Sequence, residues 1–225
     1  EVKIGKFRDG ELVLKTSIKT DTSDGGRRIL TDVFQKIEEL SLGEKITGIG
    51  IGVPGPVTKG VVNGAQNLGW GRVEAEALIR ERYPEARVKV LNDANAAAIG
   101  EMAAGSASRY RDFVFVTLGT GIGGGIVIGG EVLEGTTGAG GEIGHMQVAY
   151  DKKRLCNCGN YDCFERYASA TGLVITAKEL AEGRKTRLHE VGFSAKTIFD
   201  LAKDGDEVAG EAVDMMVDTL AKALA

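Results

Sequence analysis

One stretch constrains this chain more than any other: residues 142–165 hold all three cysteines and one of the two histidines. It reads E-I-G-H-M-Q-V-A-Y-D-K-K-R-L-C-N-C-G-N-Y-D-C-F-E. Cys156, Cys158 and Cys163 fall within eight residues, and His145 lies eleven residues before the first of them. Three thiolates and one imidazole are the ligand set of a tetrahedral structural zinc site. The tight C-x-C-G-x3-C turn suits a metal better than a disulfide, because three thiols cannot pair evenly and such close neighbours strain S–S geometry. Asn157, Gly159 and Asn160 supply the turn chemistry that wraps a chain around an ion. The alternative is three reduced, partly buried cysteines beside a surface histidine. Confinement of every cysteine to one window favours the metal, and a cysteine set with none spare fits a reducing cytosol.

Around this stretch the patterning is that of a layered α/β chain. Residues 1–20 alternate about a turn at Arg8, Asp9 and Gly10, as a β-hairpin does. Ile29, Leu30, Val33, Ile37 and Leu40 recur at helical spacing within 24–40. Residues 46–53 (I-T-G-I-G-I-G-V) form a glycine-thinned strand that stops at P-G-P. Strand, helix, strand implies a βαβ-type sheet layered with helices. A helix is expected over 74–83, a buried strand over 88–91, and a fresh strand over 113–118. Further strands are expected at 126–128 and 132–133 around a Gly129-Gly130 turn. Helices follow at 167–180, 194–203 and 208–224, with a polar connection over 183–194 and with Met215, Met216 and Leu220 in the core. The small, polar run 105–112 marks the boundary between two lobes.

At 43% hydrophobic the chain can bury a proper core. A net charge of −4 without a basic run leaves no electrostatic footprint for nucleic acid. No apolar run approaches the roughly 20 residues that a membrane helix needs. The 33 glycines are about twice average usage, and they cluster at 119–144, where they suggest backbone that faces a ligand.

Three further segments can carry chemistry. The strand ending in Asn92-Asp93 runs into an Ala-rich helix and so puts polar groups at the carboxyl edge of a sheet, where open α/β sheets bind ligands. Asp93 could equally be that helix's N-cap, since Asp is favoured there. The segment Gly119-Thr120-Gly121 follows a strand and offers N–H groups and a hydroxyl to phosphate oxygens. It is neither a Walker loop nor a dinucleotide fingerprint, and a plain glycine-rich hairpin is the alternative. Near Gly52 and Gly55, Asn67 and the single Trp, Trp70, follow the P-G-P turn. Taken alone they read as a turn and a core aromatic.

Together these segments carry a resemblance. G-E-I-G-H followed by C-x-C-G-x3-C-x-E, N-D-x-N-A-A-A at 92–98 and T-L-G-T-G-I-G-G-G at 117–125 resemble the signature of the ROK family of bacterial sugar kinases and sugar-responsive repressors. One departure is visible: Asp162 stands where the family pattern has Gly before the last cysteine. Asp tolerates the left-handed backbone region better than most residues.

The resemblance implies an α/β, two-lobed actin-like ATPase (ribonuclease H-like) fold with a sugar cleft between the lobes. Residues 1–108 would be the small lobe and 109–225 the large lobe with its zinc-bound loop. It implies ATP-dependent phosphorylation of a hexose hydroxyl, glucose to glucose 6-phosphate for preference. The alternative is a sugar-responsive repressor whose DNA-binding domain lies outside this sequence. Asp93 would be the catalytic base. Asn67, Asn92, Asp93, Glu142, His145 and Glu165 would hold the sugar, and Gly119, Thr120 and Gly121 the phosphate. His145, Cys156, Cys158 and Cys163 would bind zinc. ATP, Mg2+ and structural Zn2+ are the implied cofactors, with a cytoplasmic homodimer that contacts neither membrane nor nucleic acid through this segment. The family's first strand with its D-x-G-G-T loop and its adenosine segment have no match here, so the sequence is expected to be about two-thirds of a longer chain.

Overall fold

A computed structural model describes residues 1–225. The chain divides into two compact units, Glu1–Ala96 with Glu134–Ala139, and Ala97–Leu133 with Gly140–Ala225.

In the first unit, β1 (Val2–Arg8) and β2 (Glu11–Ile18) form the expected hairpin, with Val2 opposite Ile18. Asp9 and Gly10 turn it at φ of 51° and 85°. Helix α1 (Ile29–Ser41) starts at the first of its apolar residues and not at residue 24 as expected. The side chains of Asp21 and Asp24 accept the N–H groups of Ser23 and Arg27 and hold the preceding residues as turns, the usual competition of Asp with helix hydrogen bonds. Strand β3 (Gly48–Val53) pairs in parallel with β7 (Arg87–Asn92), Val53 opposite Asn92.

In sequence, the segment joining those two strands holds a separate three-stranded antiparallel meander of β4 (Val57–Thr58), β5 (Val61–Ala65) and β6 (Trp70–Val73). Sequence reading leaves it as a turn, because strands this short and glycine-interrupted show no readable alternation. Trp70 is the core aromatic it was read as, and its indole N–H donates to Gly26 O at 2.8 Å. Helix α2 (Ala75–Arg82) leads into β7, and Ile29, Val57, Val62, Ile79 and Val90 form the core. Helix α3 (Asp93–Ala104) begins directly on the last residue of β7, and the division between the units falls within it.

In the second unit, β8 (Phe113–Leu118), β9 (Ile122–Ile128) and β10 (Glu131–Val132) form an antiparallel sheet in the order β10-β9-β8. Gly123, Gly124 and Gly125 belong to β9, opposite Thr117, Val116 and Phe115, so the turn after β8 is only residues 119–121. Gly129-Gly130 makes the second turn as expected, at φ of 64° and 86°.

The helix expected over 167–180 is two: α4 (Glu165–Ala168) and α5 (Ala170–Ala181). Ser169 separates them in an extended conformation, and its buried hydroxyl caps α5 by accepting the N–H of Gly172 at 3.0 Å. The polar connection holds a short helix, α6 (Leu188–Val191), that drives Leu188 fully into the core. Helices α7 (Ala195–Lys203) and α8 (Glu207–Leu224) are capped by Ser194 and Asp206. Phe164, Leu173, Leu188, Ile198, Val208 and Met216 form this core, and Leu220 packs on it. Met215 is exposed, contrary to its assignment to the core. Adjacent helical residues point about 100° apart, so one face takes one methionine of the pair. No helix is long and apolar enough to cross a membrane.

Candidate active site and metal centre

At the β7–α3 corner the capping of α3 falls to Asn92. Asn92 is buried, and its Oδ1 accepts the N–H groups of Ala94 at 2.9 Å and Asn95 at 3.1 Å. Asn92 is therefore the helix cap, and its Nδ2 donates to Gly55 O at 3.2 Å. Asp93 is the first residue of α3 and is exposed, with Oδ1 accepting the Ala94 N–H at 2.9 Å. Gly52 backs this corner closely: a Cβ there would lie 3.2 Å from Asp93 Cα. The carboxylate of Asp93 thus shares one helix N–H with Asn92 and otherwise faces solvent. Asn67 is exposed on the 3-10 turn Gln66–Leu68, without a hydrogen bond to this corner.

The turn between β8 and β9 is a compact loop. Gly119 N–H donates to Gly121 O at 3.0 Å, and Gly119 O accepts the N–H of Ala170 at 2.9 Å. Thr117 Oγ1 accepts the N–H of Gly123 at 3.2 Å and closes the hairpin, while Thr120 is exposed at the tip. An exposed hydroxyl flanked by glycines is the donor arrangement that phosphate oxygens favour.

The four candidate metal ligands lie together within the second unit. The donor atoms of His145, Cys156, Cys158 and Cys163 all lie within 4.8 Å of one another. Cys158 and Cys163 sulfurs are 3.6 Å apart, and His145 Nδ1 is 3.6 Å from Cys156 Sγ. A tetrahedral ion with metal–sulfur bonds of about 2.3 Å places its sulfurs about 3.8 Å apart, so the spacing fits. The chemistry fits as well. Burial pushes the Cys156 and Cys163 thiols above their ordinary range, and a divalent cation supplies the charge that ionises buried thiols.

With Nδ1 turned to the sulfurs, His145 Nε2 lies 3.9 Å from Glu142 Oε2. Glu165, the first residue of α4, reaches back so that Oε1 is 3.2 Å from Cys156 Sγ. The structure thus gathers Glu142, His145, Glu165 and the cysteines in one place.

A supporting network escaped sequence reading. Asp162 adopts φ of 57°, the left-handed conformation for which the family pattern uses Gly. Its fully buried carboxylate accepts the N–H of Arg154 at 2.8 Å, the N–H of Lys153 at 3.3 Å and the hydroxyl of Tyr167 at 2.7 Å. Burial works against ionisation, but these donors together hold the carboxyl below its ordinary pKa. Arg154 is buried too. It donates to Arg166 O at 2.8 Å and Glu179 Oε2 at 2.6 Å, and its guanidinium lies 4.2 Å from the centre of the Tyr167 ring. The K-K-R run at 152–154 carries no cue to which of its charges is buried.

Asp162→Gly is therefore expected to destabilise the protein by about 2–3 kcal/mol, because buried donors left unpaired cost more than relief of the backbone returns. Urea unfolding measures this, and a variant as stable as the parent would remove the role assigned to the carboxylate.

The ROK family model matches residues 7–225. A glucokinase of Halalkalibacterium halodurans is 36% identical over 232 residues, a match covering 96% of this chain and 69% of that protein. Among solved structures, a ROK family glucokinase from Streptomyces griseus in complex with glucose and AMPPNP is 31% identical with a TM-score of 0.75, covering 99% of this chain and 74% of that one. A ROK family transcriptional regulator, a homolog of the E. coli MLC protein, is 28% identical with a TM-score of 0.81, covering 96% of this chain and 56% of that one. These matches agree with the motifs, the layered sheets and the Cys/His centre: the chain belongs to the ROK family, and its fold is the α/β actin-like ATPase fold of that family's kinases.

Proposed function

We propose that this chain carries the sugar-handling and phosphate-handling residues of an ATP-dependent hexose kinase that converts glucose to glucose 6-phosphate. The observation that supports it most is the β7–α3 corner, where Asn92 does the capping and Asp93 stands exposed. Phosphoryl transfer to a hydroxyl needs a base on the hydroxyl, a grip on the sugar and a cradle for the phosphates. Asp93 accepts the proton of the attacking hydroxyl. Glu142, His145 and Glu165 bond sugar hydroxyls, with Asn67 as a further contact. Asn92 has one amide hydrogen to offer beyond the bond to Gly55. Gly119, Thr120 and Gly121 hold phosphate oxygens, and Mg2+ arriving with ATP neutralises part of the phosphate charge.

Zinc is the metal we assign to His145, Cys156, Cys158 and Cys163. Four protein donors leave no open position, so its part is structural. It would fix the His145 ring through Nδ1 and leave Nε2–H to the sugar. We place the protein in the cytoplasm, where ATP and reduced thiols coexist, and family resemblance supports a homodimer.

Likeness to a transcriptional regulator favours a second reading, sugar sensing without turnover. A coupled assay of ADP release by the full-length protein separates the two. The panel is glucose, fructose, mannose, N-acetylglucosamine and N-acetylmannosamine, and glucose is expected to give the highest kcat/KM. Sugar binding without ADP release from any of them would transfer the assignment to the regulator.

A further inference from the structure

Gly121 presents a puzzle if its only task is to bring backbone close to phosphate. It is absent from the residues with positive φ, so its backbone conformation does not demand glycine. Nor is the turn crowded throughout, since a Cβ at Gly119 would meet nothing within 4 Å. At position 121 a Cβ would overlap Glu165 Oε2 and lie 3.5 Å from Glu165 Cδ. The missing side chain at 121 is occupied by the carboxylate of Glu165.

That carboxylate is bounded on two sides. Oε1 is 3.2 Å from Cys156 Sγ, and Oε2 lies over Gly121. The elements carrying them are also tied together by the bond from Ala170 N–H, at the start of α5, to Gly119 O. A side chain with three rotatable bonds keeps this place without a salt bridge, and the space it uses exists because residue 121 has no Cβ.

We infer that Gly121 is a positioning residue for the sugar-facing carboxylate of Glu165, in addition to its place in the phosphate turn. The inference rests on the assignment of Glu165 to the sugar. It has a consequence that a simple phosphate loop lacks: a substitution in the turn acts on sugar affinity. Shortening the carboxylate should then offset the added methyl group.

Calorimetry of the full-length protein, with glucose and with Mg-ATP titrated separately, tests this with Gly121→Ala, Gly210→Ala and the double variant Gly121→Ala/Glu165→Asp. Gly121→Ala is expected to weaken glucose binding at least tenfold. Gly210→Ala, in α8 where an added Cβ meets nothing within 4 Å, should leave glucose affinity within about twofold. The double variant should bind glucose more tightly than Gly121→Ala alone, because the shorter side chain clears the methyl group. If Gly121→Ala fails to fold, recovery of folding in the double variant supports the same clash, and failure of both overturns it. Unchanged glucose affinity with weakened Mg-ATP binding, or strictly additive effects of the two substitutions, overturns the inference alone. A parent protein that binds no hexose overturns both this inference and the sugar assignment beneath it.

Discussion

Replacing Asp93 by Asn is expected to lower kcat by about 10²–10⁴-fold, the range lost when a general base is removed, with far less change in sugar affinity. The structure also says what should not happen. Asn92 Oδ1 accepts both the Ala94 and the Asn95 N–H groups at the start of α3, and Asp93 shares only the first, which an asparagine at 93 can still accept, so the variant should melt close to the parent. Asn92→Ala is the matched control: loss of a cap costs about 1–2 kcal/mol and should show in thermal unfolding. Steady-state kinetics and melting of both variants check the assignment. A variant Asp93→Asn that keeps parental kcat, whatever its stability, would remove Asp93 from the chemistry.

Loss of the metal is expected to have the second large effect. Protein purified without added zinc should contain about one equivalent, as a structural site does. Cys158→Ser is the informative substitution, because Cys158 is exposed whereas Cys156 and Cys163 are buried. A loss of metal at position 158 can therefore be read without a hole in the core. Structural zinc contributes about 10 kcal/mol or more to the folding of small domains. The bonds left to this loop without the metal are those of Asp162 to Lys153, Arg154, Tyr167 and Val148 and the Cys156–Asn160 and Gly159–Cys156 backbone pairs, and none of them involves the Cys158 side chain. Glucose affinity should fall at least tenfold, about 1.4 kcal/mol, although Cys158 is not assigned to the sugar. Metal analysis and calorimetry on the same preparation measure both, and a metal-free variant with parental glucose affinity would sink the link between ion and sugar.

Much of the fold was legible because its signals are local. The β1–β2 hairpin and the Gly129-Gly130 turn follow from short-range alternation and from glycine at fixed offsets, whereas the parallel β3–β7 pairing joins segments about forty residues apart and comes only with the fold. The approach of the three cysteines to one another was legible for the same reason, since they need only a tight turn to converge. What failed was also local in cause. The β4–β6 meander is too short for periodicity to speak, and the break at Ser169 lies inside a continuous helical pattern whose cap looks like any other serine.

The sequence by itself determined most of the longer elements, the cysteines and histidine that could hold a metal, and the motifs that place the chain in its family. Only the tertiary structure decided which polar group serves which partner. It gave the capping of α3 to Asn92 and left Asp93 exposed. It buried Asp162 against donors from Lys153, Arg154 and Tyr167, set Glu165 over Gly121, and turned Met216 inward and Met215 outward. The physical reason is common to all of these. Propensity and periodicity act within a few neighbouring residues. A buried polar group or a missing Cβ is explained by the atom that fills the adjacent space, and the fold can bring that atom from far along the chain.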